Sequence, residues 1–250
     1  MSNDFNTALE SFKKDFLKIK GKEFPSNRKH DTGIGKTFED LIGVEENNNL
    51  LVDYKGHIEL KSQRQFTGSM LTLFTKQPEP KGIVNKLKDL YGTPHEKYSQ
   101  YNILHTTVNA VDFNTYKSKY GFKMEVDREA QKIRFLVKDL QTGKIVNNEG
   151  YFDFSVLKEI VETKCKNIAY INAKNRKHGD QEYFIFDKAL LLSGLTFDKF
   201  INLVENGTIK FDFRVGVYGS GKNLGKPHDH GSAFRIPKNA IGLAFNIETI

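Results

Sequence analysis

The stretch VDYKGHIELKSQ, residues 52–63, decides how the fold is interpreted. Two apolar residues alternate with Glu59 and Lys61, which is the period of a half-buried β-strand. Because residues two apart in a strand point to the same face, Glu59 and Lys61 stand side by side while the apolar residues face a core. Asp53 lies just upstream. The stretch therefore fits either an ordinary strand with a solvated face or a strand that carries a metal site.

The Glu-x-Lys pattern occurs three times in the sequence, and the secondary structure predicted around each copy decides whether its two side chains can lie together. It occurs at 59–61, 79–81 and 162–164. The second copy has a proline between its members, and the third lies on a predicted helix, where residues two apart diverge by about 200°. The copy at 59–61 is thus the one that can place a carboxylate and an ammonium group together. Such a pair suits phosphodiester hydrolysis, since carboxylates bind Mg²⁺ and a lysine can orient the attacking water.

A short helix is predicted upstream, in DTGIGKTFEDLIG at residues 31–43. Its inward face is formed by Phe38, Leu41 and Ile42, which leaves Glu39 either as a solvated helix residue or as an acid near the strand. The GIGK segment lacks the spacing of a phosphate-binding loop.

Composition restricts the class of protein. The 250 residues are 38% hydrophobic and 28% charged, and no apolar run approaches the roughly 20 residues that span a bilayer. The amino terminus lacks the pattern of a secretory signal, and the single Cys165 excludes an internal disulfide. We therefore expect a cytoplasmic protein with no membrane association. The net charge of +7 fits either a protein with a polyanionic partner or a merely basic soluble protein, and charge alone does not decide between them.

The periodicities predict a mixed α and β chain. The predicted helices are 4–20, the KTFEDLIGV segment, IVNKLKDLYG, 153–165 and FDKFINLVENG. The predicted strands are HIELKS, MLTLFTK, NILHTTVN, 121–127, 131–138, 144–152, NIAYINAK and TIKFDFRVGVY. We predict two lobes, with residues 1–115 mainly in the first and residues 116–250 mainly in the second.

The strand TIKFDFRVGVY, residues 208–218, is a candidate for reading DNA. Its polar face comprises Lys210, Asp212, Arg214, Gly216 and Tyr218. That face is either solvated or laid toward a groove, with Arg214 donating two bonds to a guanine and Asp212 accepting from a cytosine. The glycine-rich segment that follows can approach DNA closely, and Lys222 suits a phosphate contact. His228 and His230 supply too few ligands for a zinc site.

Several motifs in one order make the sequence recognisable. They are TGIGKTFEDLI, IELK, MLTLFTK, NILHTTV and GKPHDHGSAFRI. Together they resemble the MvaI/BcnI family of type II restriction endonucleases from about residue 30 to residue 237. A more distant likeness, through the Gly35-to-Glu39 helix and the Asp…Glu-x-Lys strand, is to mismatch-repair nicking endonucleases of the MutH type.

The resemblance implies a PD-(D/E)xK restriction-endonuclease-like core of mixed α+β structure with a second, DNA-recognition lobe. Asp53 and Glu59 would ligate Mg²⁺ with the carbonyl of Leu60, Lys61 would position the water, and Glu39 would be an accessory acid. The gap between Asp53 and Glu59 is one residue longer than in MvaI-type members and shorter than in MutH-type enzymes.

The resemblance also implies how DNA is read and cut. The His228–Asp229–His230 loop and Arg235 would contact base edges, whereas His105 matches the family without an assigned role. The enzyme would be a monomer that makes Mg²⁺-dependent double-strand breaks at a short CCWGG-like site in double-stranded DNA. A cognate DNA methyltransferase is expected genetically, not as a bound partner. The alternatives are a MutH-like nicking enzyme and a DNA-binding protein without catalysis.

Overall fold

A computed structural model describes residues 3–44, 52–65, 68–117 and 119–250. The chain forms two compact units. Unit 1 comprises residues 1–69, 161–196 and 242–250, and unit 2 comprises residues 70–160 and 197–241. Each unit is assembled from separate segments, so these boundaries do not coincide with a single division near residue 115. The assignment of one lobe to catalysis and the other to recognition stays a prediction. No helix of the described residues is long and apolar enough to cross a membrane.

The helices and strands follow the sequence periodicities closely. The helices are α1 (Asn3–Ile19), α2 (Gly33–Leu41), α3 (Ile83–Tyr91), α4 (Phe154–Lys164), α5 (Phe197–Glu205) and α6 (Ile241–Ala244). The strands are β1 (Glu23–Pro25), β2 (Glu59–Arg64), β3 (Leu71–Thr75), β4 (Thr93–Pro94), β5 (Asn102–Val108), β6 (Tyr120–Asp127), β7 (Lys132–Asp139), β8 (Ile145–Asn147), β9 (Tyr151–Asp153), β10 (Asn167–His178), β11 (Gln181–Ser193), β12 (Lys210–Val217), β13 (Pro227–Asp229), β14 (Ala233–Ile236) and β15 (Asn246–Thr249). The prediction of one strand at 144–152 is wrong, because the segment forms two strands, β8 and β9.

Unit 1 is built on a five-stranded sheet. Its order is β1-β11-β10-β2, with β15 beside β11. All pairs are antiparallel except β10 and β2, which run parallel with Ile168 opposite Glu59 and Tyr170 opposite Lys61. Among the described residues, strand β2 therefore lies at an outer position of the sheet and has one neighbouring strand.

One face of this sheet is covered by α1 and α2. Phe12 and Phe16 of α1 and Phe38 of α2 are fully buried against Leu60 of β2, in a cluster that continues along β10 and β11. Phe38 lies 5.2 Å from Phe186 between ring centroids, a separation typical of favourable aromatic contacts. This packing fixes β2 with the side chains of Glu59 and Lys61 on the opposite face.

Unit 2 contains two sheets. The first has the order β3-β14-β12-β5-β4 with β13 beside β12, and the second has the order β6-β7-β8 with β9 beside β7. The predicted alternation of β12 is confirmed on its apolar face, where Phe211, Phe213 and Val215 are buried. The phenylalanines pack with other rings, and Phe135 lies 4.9 Å from Phe213. This core holds β12 in the interior of the first sheet.

Candidate active site

A tight turn brings Asp53 to the start of β2. The backbone N–H of Tyr54 donates to the Ile58 carbonyl at 2.9 Å, and the N–H of Ile58 donates back at 3.2 Å. Lys55 and Gly56 at the tip have φ values of 50° and 71°, which fold the chain back on itself. As a result, Asp53 Oδ2 accepts a 2.9 Å hydrogen bond from the N–H of Leu60. The turn thus absorbs the unusual Asp53–Glu59 spacing and still places the carboxylate beside β2.

Glu59 and Lys61 form a close pair on one face of β2. The Lys61 ammonium donates to Glu59 Oε1 at 2.5 Å. The Glu59 side chain is 4% exposed and that of Lys61 is 24% exposed. The second carboxylate oxygen, Glu59 Oε2, is buried and has no hydrogen-bond partner in the described part of the chain. A buried anionic oxygen without a donor is costly unless another cation satisfies it.

The charge of Lys61 is set by its neighbours. Burial lowers the pKa of Lys61, but the charge and hydrogen bond of Glu59, together with the charge of Asp53, outweigh burial and raise that pKa above its usual value. Lys61 is therefore an ammonium group at neutral pH. Nearby, burial raises the pKa of the Cys165 thiol to about 12, so this side chain is a neutral part of the surroundings.

The carbonyl of Leu60 lies on the outer edge of β2. In a strand the N–H and C=O of one residue point to the same side. Because the Leu60 N–H is bonded to Asp53, on the edge away from β10, its carbonyl faces that edge as well. Asp53, Glu59 and the Leu60 carbonyl thus offer oxygen atoms around the start of β2.

These oxygens fit a hard divalent cation better than a transition metal. No cluster of three or more His, Cys, Asp and Glu side chains able to hold a metal is present among the described residues. Two carboxylates and a carbonyl are nevertheless the sparse oxygen set that Mg²⁺ takes from proteins, with water and phosphate completing its shell. The orphaned Glu59 Oε2 is the observation that supports this fit.

Glu39 lies on α2, which packs its buried face, including Phe38, against the sheet. Its side chain is half-buried, and Glu39 Oε1 lies 4.0 Å from the position that a Cβ on Gly35 would take. The Gly-x-x-x-Glu spacing thus places the glycine and the acid on one side of the helix. The role of Glu39 as an accessory acid stays a prediction.

The active-site face of β2 includes a third polar residue that the sequence analysis did not identify. Gln63 is two residues beyond Lys61 and accepts a 2.6 Å hydrogen bond from the hydroxyl of Tyr170. Its amide also donates to the Ser69 carbonyl at 3.0 Å. The two-residue period after Lys61 was the available signal, but the partner on β10 depends on a pairing that the sequence does not reveal.

In unit 2, two of the predicted base-reading residues bind each other. Arg235 Nη1 donates to Asp212 Oδ2 at 2.6 Å, and its Nη2 donates to the carbonyl of Met70 at 2.7 Å. Their side chains are 15% and 10% exposed. Asp212 Oδ1 and Arg235 Nε are buried without a hydrogen-bond partner in the described residues. The pair therefore retains one unused acceptor and one unused donor.

A cavity of about 480 Å³ opens beside this pair. It is lined by His105, Thr106, Thr107, Asp212, Phe213, Arg214 and His230. Arg214 is exposed, and its backbone is held by Ser232 and by His230 at 3.0 and 2.9 Å. The cavity thus combines an exposed guanidinium, a carboxylate and two imidazoles, which are the groups that recognise base edges.

Ring contacts connect the histidines of this cavity. His228 lies 4.2 Å from Tyr218 and 4.3 Å from His230, and His230 lies 6.2 Å from His105, all between centroids. A Cβ on Gly216 would lie 3.1 Å from His230 Nε2, so the glycine makes room for the ring. Burial lowers the pKa of both His105 and His230, and the charge of Arg214 adds to this effect. Both are therefore neutral at neutral pH, with one donor and one acceptor each.

Asp229 organises the loop that carries these rings. Its Oδ1 accepts hydrogen bonds from the N–H groups of Gly231 and Ser232 at 2.9 and 2.7 Å and from the Ser232 hydroxyl at 2.9 Å. Its Oδ2 accepts from Gln77 at 3.0 Å. The structure thus gives Asp229 a role in shaping the loop, while its predicted base contact remains a prediction.

The remaining predicted DNA contacts lie on the surface. Lys210 is half-buried opposite Arg235, Tyr218 is 37% exposed, and Lys222 is exposed in a short 3₁₀ turn at Gly221–Asn223. Tyr218 contacts the histidine rings of the cavity through His228. Lys210 and Lys222 stay predictions as phosphate contacts.

The sequence profile of the MvaI/BcnI restriction endonuclease family matches residues 13–245. The chain belongs to this family and is a site-specific DNA endonuclease, a hydrolase of restriction systems. The prediction from the sequence motifs is therefore confirmed.

Solved structures agree with this membership. A structure described as a complex of restriction endonuclease MvaI with cognate DNA is 36% identical, covers 100% of this chain and 99% of its own, and gives a TM-score of 0.87. A structure of MvaI in the absence of DNA is 34% identical, with 100% and 98% coverage and a TM-score of 0.62. The predicted PD-(D/E)xK fold is thus confirmed. A comparison with curated proteins gives no match.

Proposed function

We propose that this endonuclease makes Mg²⁺-dependent double-strand breaks at a short pseudopalindromic site in double-stranded DNA, leaving 5′-phosphate and 3′-hydroxyl ends. The observation that carries the proposal is the buried Glu59 Oε2, which has no donor among the described residues although Glu59 and Asp53 both act on Lys61. We expect this oxygen to be a ligand atom for the cation. The likeness to MvaI bound to cognate DNA supports double-stranded DNA as the substrate.

Asp53, Glu59 and the Leu60 carbonyl would hold the ion. When bound, Mg²⁺ polarises the scissile phosphate and lowers the pKa of a coordinated water. Lys61 remains protonated at neutral pH, so its part is to donate hydrogen bonds and positive charge near the phosphate rather than to remove a proton. The hydrogen bond from Leu60 to Asp53 holds that carboxylate in place.

Recognition is assigned to the cavity of unit 2. Arg214 would donate two hydrogen bonds to a guanine, and the unused Asp212 Oδ1 would accept from a cytosine amino group. Arg235 holds Asp212 in position through its bond to Oδ2. These pairings suit the outer C·G pairs of a CCWGG-like target, where W is A or T.

The enzyme would act as a monomer that cuts the two strands in turn, because a single set of Asp53, Glu59 and Lys61 meets one strand at a time. A cognate methyltransferase would protect host DNA without binding the enzyme. Family membership favours this function over the MutH-like nicking alternative.

Digestion of a sequenced plasmid with purified protein and Mg²⁺, followed by mapping of the fragment ends, tests the proposal. Double-strand breaks at CC(A/T)GG sites with 5′-phosphate ends are expected. Nicks confined to one strand at GATC-like sites would instead establish the MutH-like activity. Glu59→Gln and Lys61→Ala should both lose cleavage; full activity in either variant would show that the centre lies elsewhere.

A further inference from the structure

The residue that follows the predicted metal ligand Asp53 belongs to the core of unit 1. Tyr54 is 2% exposed, and its ring lies 5.4 Å from the ring of Phe12 on α1, edge to face at 81°. This aromatic contact accounts for the burial of the ring. The hydroxyl needs a partner of its own, because a buried hydroxyl without a hydrogen bond is costly.

The partner of this hydroxyl is Asp15, which also lies on α1. The Tyr54 hydroxyl donates to Asp15 Oδ2 at 2.6 Å, and the Lys18 ammonium donates to Asp15 Oδ1 at 2.7 Å. These hydrogen bonds from Lys18 and Tyr54 lower the pKa of Asp15, so the acceptor is a carboxylate at neutral pH. The bond from Tyr54 is therefore charge-assisted, and such bonds are about twice as strong as neutral ones.

The backbone of Tyr54 forms the base of the turn that leads into β2. Its N–H donates to the Ile58 carbonyl at 2.9 Å, and its carbonyl accepts from the N–H groups of Ile58 and His57 at 3.2 and 3.0 Å. Asp53 directly precedes Tyr54, and its carboxylate accepts the 2.9 Å hydrogen bond from Leu60. A shift of Tyr54 would therefore move the Asp53 backbone relative to Leu60.

A cavity of about 230 Å³ has both acids in its lining. Asp15, Asp53 and Tyr54 contribute to the same wall of unit 1. Because each oxygen of Asp15 already accepts a hydrogen bond, from Lys18 or from Tyr54, this carboxylate suits a supporting role better than metal ligation. Asp15 thus supports the turn from α1 without joining the proposed ligand set.

We propose that Tyr54 and Asp15 are positioning residues that hold the Asp53 carboxylate at the edge of β2. The hydrogen bond between them attaches the turn to α1, and the turn places Asp53 beside Leu60. The inference rests on the proposed function for the role of Asp53 as a ligand of Mg²⁺. Groups that orient a metal ligand influence the affinity for the metal without contacting it.

The test compares variants of the full chain. Tyr54→Phe is the main variant, because it removes one oxygen atom and no charge and keeps the ring on Phe12. Asp15→Asn keeps a neutral acceptor, and the double variant shows whether both residues act through one hydrogen bond. Tyr183→Phe is the matched control, since it makes the same change on β11, opposite Arg176 and away from the turn.

The first readout needs no metal. Hydrogen exchange of the Leu60 amide, followed by NMR with a chelator present, reports the hydrogen bond to Asp53. Tyr54→Phe should speed this exchange by about tenfold relative to the amides of β10 and β11, the factor expected for loss of a hydrogen bond to a charged group. Asp15→Asn should have a smaller effect, and Tyr183→Phe should have none. A residue that only stabilised the fold would change exchange at Leu60 and in the two long strands alike.

The second readout is the affinity for Mg²⁺, measured by calorimetry without DNA. Tyr54→Phe should bind Mg²⁺ about tenfold more weakly than the wild type, which is the lower end of the effect of groups that orient a metal ligand. The double variant should lose little more than Tyr54→Phe, because Asp15 acts through the hydroxyl that is already absent. Tyr183→Phe should bind Mg²⁺ as the wild type does.

Unchanged exchange at Leu60 in Tyr54→Phe, or equal acceleration in the Tyr183→Phe control, would overturn the proposal. Asp53→Asn separates this outcome from failure of the proposed function. If Asp53→Asn loses Mg²⁺ affinity while Tyr54→Phe keeps it, the positioning role alone is removed. If Asp53→Asn binds Mg²⁺ as the wild type does while Tyr54→Phe still speeds exchange at Leu60, the proposed metal centre alone is removed.

Discussion

Replacing Lys61 with methionine should destabilise unit 1 substantially in the absence of metal. Lys61 is bonded at 2.5 Å to a glutamate whose side chain is 4% exposed and whose other oxygen has no donor in the part of the chain that the structure describes. Methionine keeps the apolar stem and removes the ammonium, which leaves the Glu59 carboxylate buried and uncompensated. Removal of one partner from a buried ion pair costs about 3–5 kcal/mol, and this is the expected loss in the free energy of unfolding.

The reciprocal change should cost less. Glu59→Gln leaves an ammonium on a side chain that is 24% exposed and can extend toward water, so the expected loss is about 1–2 kcal/mol. The double variant has neither charge and should be more stable than the sum of the single losses by about 2–3 kcal/mol. This order, with Lys61→Met the worst of the three, follows from the unequal burial of the partners.

Urea unfolding near pH 7.5 with a chelator measures the free energy of unfolding of the wild type, the two single variants and the double variant. The pKa of Lys61 is raised in the folded state, so its contribution is fully present below the usual lysine value of 10.5 and is lost only as the pH rises through the raised pKa. Neutral pH therefore reports the whole effect. A loss below about 1 kcal/mol for Lys61→Met, or strictly additive single changes, would refute the buried pair on which the proposed centre rests.

Four other outcomes are expected. Asp53→Asn should weaken Mg²⁺ binding and cleavage by tenfold or more, measured by metal titration, since it removes a charged ligand; wild-type affinity would exclude Asp53 as a ligand. Arg214→Ala should reduce discrimination between cognate and altered sites by about 1–3 kcal/mol in competition binding, and retained preference would make this arginine structural. Asp229→Ala should destabilise its loop by about 2 kcal/mol, seen as faster hydrogen exchange at Gly231 and Ser232, whereas unchanged exchange would contradict the loop role. Burial lowers the pKa of His105, so the unfolded chain takes up this proton at a higher pH than the folded protein does, and the free energy of unfolding should fall as the pH drops below 6.5. His105→Gln should flatten this fall, and a variant with the same dependence of stability on pH as the wild type would count against the buried imidazole.

The local elements and the central pair of the active site could be predicted from the sequence because both depend on short-range periodicity. The alternation around Glu59 fixes which side chains share a face, and the spacing of phenylalanines fixes α1. Strand β11 was not predicted. It runs between β10 on one side and β1 and β15 on the other, and its run FIFDKALLLS is too apolar to alternate cleanly.

Other features of the site depend on long-range register, which no local pattern contains. Asp53 reaches Leu60 through a turn whose tip residues adopt positive φ, so the number of residues between Asp53 and Glu59 does not decide the geometry. The Asp212–Arg235 pair arises because β14 lies beside β12. The sequence shows that one residue is an acid and the other a base. It does not show that they bond to each other, which leaves each with fewer free polar atoms to contact a DNA base.

The parallel partnership of β2 and β10 also governs when a working enzyme can exist. About 110 residues separate Glu59 from its neighbour Ile168, and residues 246–249 are still needed to complete the sheet beside β11. A nascent polypeptide leaving the ribosome therefore holds its proposed cutting groups on a strand that lacks its sheet neighbour until β10 has been synthesised. For an enzyme that cuts DNA, the proposed cutting groups thus gain their supporting sheet only after about 110 further residues have been added.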